Sequence, residues 1–133
     1  MIYALDSNII SYLIRNDNTV RERYFDAISG GSRCVIPLMV YYEVRRGLLA
    51  NDAHKRMRLF ESLCADLGVD NLTVTDMNTA AEIYAARKQD GLPIDDADLL
   101  IAAQSITRGY TLVTHNTRHF EDIGGLAIED WTE

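Results

Sequence analysis

Ile2-Tyr3-Ala4-Leu5-Asp6-Ser7-Asn8-Ile9-Ile10 opens the chain and sets a strand, an acid and a helix start in immediate succession. Ile2 to Leu5 form the short apolar run that a strand buried in a parallel sheet requires. Asp6 ends that run. Ile9, Ile10, Leu13 and Ile14 then recur at helical spacing, so Asp6 or Ser7 caps a helix that leaves the carboxyl end of the strand.

The alternation continues downstream. Asn16, Asp17 and Asn18 break the first helix, and a second fits Val20 to Ile28 and stops at Gly30-Gly31. Cys34 to Ile36 make a second strand, and Pro37 sits at the junction to a helix over Leu38 to Leu49, where a first-turn proline is tolerated. Asn51 and Asp52 interrupt before a helix from Ala53 to Leu67, which Gly68 ends. Leu72 to Thr75 reads as a third strand, after which Asp76 caps a helix running through Arg87 and closed by Gly91 and Pro93. Asp95 opens a helix carrying Leu99 to Ile106 and ended by Gly109, Thr111 to Thr114 is a fourth strand, and Leu126 to Ile128 a fifth. Strands alternating with helices predict an α/β fold, a short central parallel sheet of about four or five strands flanked by helices, with residues 1–133 forming one domain.

A chain of 133 residues, 47% hydrophobic and with only two prolines and eight glycines, can bury a core without disulfides. That composition excludes a disordered tail, a collagen-like repeat and a disulfide-stapled miniprotein. No window approaches the roughly 20 apolar residues of a membrane helix. The first residues enter a folded pattern at once, without a basic start or an apolar signal region, which predicts a cytoplasmic protein. Cys34 and Cys64 stand apart in apolar surroundings with no C-x-x-C pair, and read as inert thiols of the core. Thirteen basic residues against 20 acidic give −7, which argues against binding to nucleic acid by bulk charge alone. The charge is unevenly spread: Asp95, Asp96 and Asp98 crowd together, while Arg45, Arg46, Lys55, Arg56 and Arg58 form a separate basic stretch.

Open parallel sheets carry their sites outside the carboxyl ends of the strands. Asp6 ends the first strand, Glu43 lies in the second turn of the helix after the second, and Thr114, His115 and Asn116 end the fourth. Asp98 sits near the start of the helix that leads into the fourth strand. Each also has a plain structural reading. Asp6 fits a helix cap worth ~1 kcal/mol. Asp95 and Asp98 have the spacing of a cap and its third helical position, where acids complement the helix dipole, and for Asp95 that role is favoured beside a supporting one at the site. Glu43 sits in the apolar segment Met39-Val40-Tyr41-Tyr42-Glu43-Val44. Either a surface position beside Arg46 or a bound cation would spare it the cost of an unpaired buried carboxylate.

Convergence favours the cation. Three carboxylates brought together without one repel each other and raise one another's pKa values. Hard oxygen ligands suit Mg²⁺, which takes one or two carboxylates plus waters and substrate phosphate. Such a site suits phosphodiester hydrolysis, and it reconciles the acidic chain with nucleic acid because the metal carries positive charge inward.

These residues resemble the motifs of PIN-domain ribonucleases. Ile2 through Asp6-Ser7-Asn8 is similar to the first motif, an aspartate, a serine or threonine and an asparagine after a strand. Pro37 through Glu43-Val44 resembles the second, Asp98-Leu99-Leu100-Ile101-Ala102-Ala103 the third, and Leu112-Val113-Thr114-His115-Asn116-Thr117-Arg118-His119-Phe120 the fourth, followed by a closing segment at Gly125 to Trp131. The motifs come in order and span essentially the whole chain. The short length resembles VapC-type toxins of bacterial toxin–antitoxin pairs. The resemblance implies a Mg²⁺- or Mn²⁺-dependent endoribonuclease toxin, a homodimer, inhibited by a VapB-type antitoxin and acting on structured RNA such as a transfer RNA. By the same resemblance Asp6 and Asp98 are metal ligands, and Glu43 is the third acid, a ligand directly or through water. Asn116 takes the fourth position, often an aspartate in the family; an amide cannot act as a carboxylate base, so it would orient water or hold the metal shell. Asn8 and Thr114 are then supporting hydrogen-bonding residues.

Several side chains keep two readings. Arg45 and Arg46 are either a solvated helix face or contacts to RNA phosphates. His115 and His119 have a zinc-like spacing if helical, but the segment follows a strand and lacks the matching acid motif, so solvated or RNA-facing loop positions are favoured. Phe60, Leu63, Cys64 and Leu67 form a stripe for the core or a dimer contact. Two further functional classes compete with the nuclease: a non-catalytic module whose acidic rim docks a basic partner peptide, and an aspartyl-phosphate phosphatase, which would want an aspartate where Asn8 stands.

Overall fold

The computed structural model describes all of residues 1–133. Strand β1 (Ile2–Leu5) leads through Asp6 into helix α1 (Ser7–Ile14), followed by α2 (Asn18–Ser29) and β2 (Arg33–Pro37). Helices α3 (Leu38–Ala50) and α4 (His54–Leu67) precede β3 (Val69–Asp70), and α5 (Val74–Gln89) and α6 (Asp96–Arg108) precede β4 (Thr111–Val113). A single 3₁₀ turn at Thr117–His119 separates β4 from β5 (Ala127–Glu129). The five strands form one parallel sheet in the order β3-β2-β1-β4-β5. The expected α/β architecture is present, and no helix is long and apolar enough to cross a membrane.

The order places β1 at the centre. Tyr3 pairs with Cys34 on one side and Thr111 on the other, so the ends of β1, β2 and β4 share one edge. Burial on both faces of a parallel sheet accounts for the unbroken apolar runs: Ala4, Leu5, Ile36, Leu112 and Val113 are fully enclosed. Ile9 and Ile10 of α1, Val40 of α3, Phe60 of α4 and Ile101 of α6 pack onto them. Trp131 closes the chain end over this core, edge-on to Tyr3 at 5.1 Å, with its indole nitrogen donating to Glu129 Oε1 at 3.1 Å. Phe60 is buried, and Leu63, Cys64 and Leu67 pack against the same cluster, which assigns their stripe to the core. Cys34 and Cys64 are free thiols, and burial pushes Cys34 up to about 12, so it stays protonated at neutral pH.

Two expectations are corrected around the third strand. It lies at Val69–Asp70 and not at Leu72–Thr75, pairing Ile36 with Val69 and Pro37 with Asp70. The β-branched residues that suggested a strand begin α5 instead, because Thr73 and Asp76 form a capping box. Thr73 Oγ1 accepts from the Asp76 amide at 3.2 Å and Asp76 Oδ2 accepts from the Thr73 amide at 2.8 Å. Thr73 is therefore the cap, and Asp76 the third helical position. Pro37 sits at the junction, as expected, ending β2 and holding the cap position of α3.

Asp76 also anchors the far end of α6. Its carboxylate, 1% exposed, accepts from Thr107 Oγ1 and from Arg108 Nη2, the latter at 2.6 Å. Arg108 also pairs with Asp70, which accepts from the Tyr110 hydroxyl at 2.9 Å. Burial alone would raise the pKa of Asp76, but the Thr107 and Thr73 hydrogen bonds and the Arg108 charge outweigh it and hold the carboxyl below its usual range. This network fixes α5 against α6, and thereby the helix that carries Asp98.

Candidate active site

Asp6 stands where β1 becomes α1, 2% exposed. Its carboxylate does two jobs. Oδ1 caps α1 by accepting from the Ser7 amide at 2.8 Å, and Oδ2 accepts from Thr114 Oγ1 at 2.7 Å and from Asn8 Nδ2 at 3.5 Å. Thr114 is itself fully buried at the end of β4, and its Oγ1 accepts from the Asn116 amide at 3.0 Å. A relay of hydrogen bonds thus runs from Asn116 through Thr114 to Asp6. Asn8 ties the same two segments together, its Oδ1 accepting from the His115 amide at 3.0 Å. The helix-cap reading of Asp6 is met, and the same carboxylate also joins this hydrogen-bonded relay.

Glu43 and Asp98 complete an anionic centre. Burial, followed by repulsion from Asp6 and Asp98, raises Glu43 to about 7, against the weaker opposing charge of Arg46. Glu43 Oε1 is buried and has no hydrogen-bond partner. Asp98, half-buried, is raised by its own burial and by Asp6, while a hydrogen bond with His119 Nδ1 at 3.1 Å pulls the other way. Asp6 is raised by burial, an effect that Thr114, the Ser7 amide and His119 moderate. Glu43 therefore registers both Asp6 and Asp98, and Asp98 registers Asp6, although no three acid, histidine or cysteine side chains close into a ready-made metal cage. Asp95 holds the cap position of α6 with its backbone, but its side chain makes no capping bond; its charge adds to the repulsion at Glu43 and Asp98. That corrects the side-chain cap expected there.

Beside this centre lies an open cavity of about 460 Å³, whose walls come from α1, α3 and α4 and include Asn8, Glu43, Arg46 and Asn116. Arg46 stacks over Tyr42 at 5.0 Å on the cavity side. Arg45 turns away, packing over Tyr41 at 6.0 Å with Nη1 3.8 Å from Met57 Sδ, and does not line the cavity. His115 precedes the 3₁₀ turn and His119 ends it, and they do not bind a common partner: His115 faces Asp130 at 3.2 Å, and His119 faces Asp98. Arg15 and Arg56 also line the cavity; the sequence shows Arg56 only as part of the basic stretch and does not single out Arg15. The signal for Arg15 was present, since Ser7, Ser11 and Arg15 recur every four residues as the polar face of α1.

Three comparisons agree with this geometry. Residues 3–126 match the PIN domain family. A protein of Shigella flexneri named tRNA(fMet)-specific endonuclease VapC is 28% identical over 131 residues, covering 98% of each chain. The VapBC2 complex of Rickettsia felis, solved on a DNA fragment from its promoter, contains a chain that superposes with a TM-score of 0.90 at 26% identity over 98% of this chain and 99% of that one. VapBC-1 of nontypeable Haemophilus influenzae gives 0.87 at 30% identity over the full length of both.

Proposed function

The chain belongs to the PIN domain family, among relatives named VapC ribonucleases, and from that premise we propose that it is a divalent-metal-dependent endoribonuclease restrained by a VapB-type antitoxin. One observation carries the metal dependence: Glu43 Oε1 is buried without a partner amid carboxylates that repel it. An unpaired anion in such a place costs several kcal/mol, on the order of a lost buried ion pair, unless a cation or a proton neutralises it. The donors are all oxygen, which fits Mg²⁺ or Mn²⁺ and not a thiophilic ion. Asp6 and Asp98 would hold it, with Glu43 as the third acid and Asp95 in support. Their open arrangement leaves positions for water and a substrate phosphate, as Mg²⁺ prefers.

Such an ion supplies positive charge that polarises a phosphodiester and acidifies water near it. The chain supplies the orientation. Thr114 and the Ser7 amide fix both oxygens of Asp6, so its carboxylate cannot rotate away. His119 Nδ1 engages one oxygen of Asp98, Oδ2, at 3.1 Å. Asn116, whose amide cannot take a proton as a carboxylate does, orients by hydrogen bonding at the cavity wall. Arg46 offers its guanidinium to an RNA phosphate. Water adds to phosphorus, the bond from phosphorus to the 3′ oxygen breaks, and a 5′-phosphate and a 3′-hydroxyl result.

The name of the Shigella relative and the VapBC assemblies support structured RNA, a transfer RNA among the candidates, as substrate and a VapB-type protein as partner. A homodimer that assembles further with antitoxin belongs to the same reading. The competing view, a module that docks a basic peptide on its acidic rim, makes no use of a divalent ion. Incubating purified chain with transfer RNA in Mg²⁺ or in chelator tests the proposal. Cleavage in Mg²⁺ that disappears in chelator and in Asp6→Asn is the expected result. Equal cleavage by Asp6→Asn, or none with any divalent ion, sinks it.

A further inference from the structure

Arg15 at the end of α1, Arg46 on α3 and Arg56 in the first turn of α4 come from distant parts of the sequence and line one cavity. None forms an ion pair: the arginine–carboxylate pairs of this chain involve Arg23 and Arg108. In a protein with seven more acids than bases, three convergent guanidinium groups with no carboxylate within ion-pair distance stand out. Two of them are pre-set by stacking, Arg15 over Tyr12 at 5.3 Å and Arg46 over Tyr42 at 5.0 Å. Arg15 Nε also donates to the Ser11 carbonyl at 3.4 Å, which orients the fork and leaves both Nη groups free. The same cavity presents Ser11 and the side chain of Asn8, neutral groups suited to phosphate and sugar oxygens. Glu43 and Asn116 line the same cavity, so the cationic groups and part of the acidic centre share one surface.

We propose that Arg15 and Arg56, together with Arg46, form a phosphate track that holds the RNA strand on one side of the cleavage point. The inference rests on the nuclease reading above and deepens it by naming which surface carries the substrate. Guanidinium forks match phosphate oxygens in pairs, and a local basic track lets an acidic protein hold a polyanion near an anionic centre. The track acts in binding and takes no part in bond cleavage, so its loss falls on KM and leaves kcat.

The test compares Arg15→Ala/Arg56→Ala with Arg58→Ala, a change of the same kind at an exposed arginine of α4 outside the cavity. Affinity for a labelled single-stranded RNA oligonucleotide is measured in chelator from low to high salt. Each lost phosphate contact flattens the plot of log affinity against log salt by about 0.7 on a single strand, so the double variant flattens it by roughly 1.4 and binds about tenfold more weakly near 0.1 M salt. In Mg²⁺ its KM rises by a similar factor with kcat unchanged, while Arg58→Ala moves neither. A double variant indistinguishable from Arg58→Ala in slope and KM overturns the track, with the nuclease reading intact if cleavage persists. An unchanged KM with lost inhibition by antitoxin overturns it too, and gives the cavity to the protein partner. Absence of cleavage by the parent chain counts against the nuclease reading, while the salt slope still reports on the track.

Discussion

Replacing Glu43 with Gln should stabilise the metal-free protein while destroying its activity. The carboxyl rises from 4.5 to about 7 through burial and through repulsion by Asp6 and Asp98. In a fully dry site that difference disfavours the anion by roughly 3 kcal/mol. Glu43 is only half-buried, and solvent screening reduces the figure to about 1–2 kcal/mol. The sign follows from linkage. Below 4.5 the group is protonated in both folded and unfolded chains and contributes nothing. Between 4.5 and about 7 the unfolded chain releases its proton first, so the native protein loses stability as pH rises, and the penalty is complete above 7. Gln keeps the shape and never ionises. Thermal melts in chelator should therefore show Glu43→Gln and the parent alike at pH 4, and the variant higher by roughly 3–8 °C at pH 8. Mg²⁺ should raise the parent more than the variant, because ligand binding to the native state alone is stabilising. A variant no more stable than the parent at pH 8, or one equally favoured at pH 4, would refute the electrostatic account of the centre.

Other outcomes follow from the same structure. Asp76→Ala removes the acceptor for Thr107, Thr73 and one arm of Arg108, and should cost about 2–4 kcal/mol in chemical denaturation, with α5 and α6 separating first in hydrogen exchange. Because its pKa is held below the usual 3.8, the stability it confers is fully present above that pH and lost as acid carries the solution through its lowered value; the acid limb of the parent's stability curve should be shallower in Asp76→Asn. Trp131→Ala empties the space over Tyr3 and should cost about 3–5 kcal/mol. Thr114→Val deletes the donor to Asp6 Oδ2 without changing side-chain size, and should lower cleavage at least tenfold on the cost of one misdirected charge-assisted hydrogen bond, with circular dichroism unchanged.

The architecture was legible because burial of a parallel sheet writes short unbroken apolar runs, and Ile2–Leu5, Arg33–Pro37 and Thr111–Val113 carry such runs. The third strand was misplaced because it is two residues long, too short to have a period, and its neighbours Leu72 to Thr75 have strand-like side chains overruled by a capping box. Within the site, Asp6, Thr114 and Asn116 were readable as the polar ends of strands, which the sheet order then gathers on one edge, and Asn8 came only from the motif resemblance. What could not be read were pairings set by tertiary approach. His119 meets Asp98 across 21 positions, Arg56 joins Arg15 only when α4 packs by α1, and the direction in which Arg45 and Arg46 diverge depends on the turn of α3. Asp95 shows the limit from the other side: its cap position is correct, yet its side chain forms no capping bond.

The central claim is that Asp6, Glu43 and Asp98 gather a divalent ion for water-driven cleavage of RNA. Identifying the end groups of fragments from a defined RNA, with Mg²⁺ or chelator and with parent or Asp6→Asn protein, tests it most directly. The account predicts 5′-phosphate and 3′-hydroxyl ends that form only with Mg²⁺ and only with the parent. Fragments ending in a 2′,3′-cyclic phosphate, or ends that form unchanged in chelator, would contradict it.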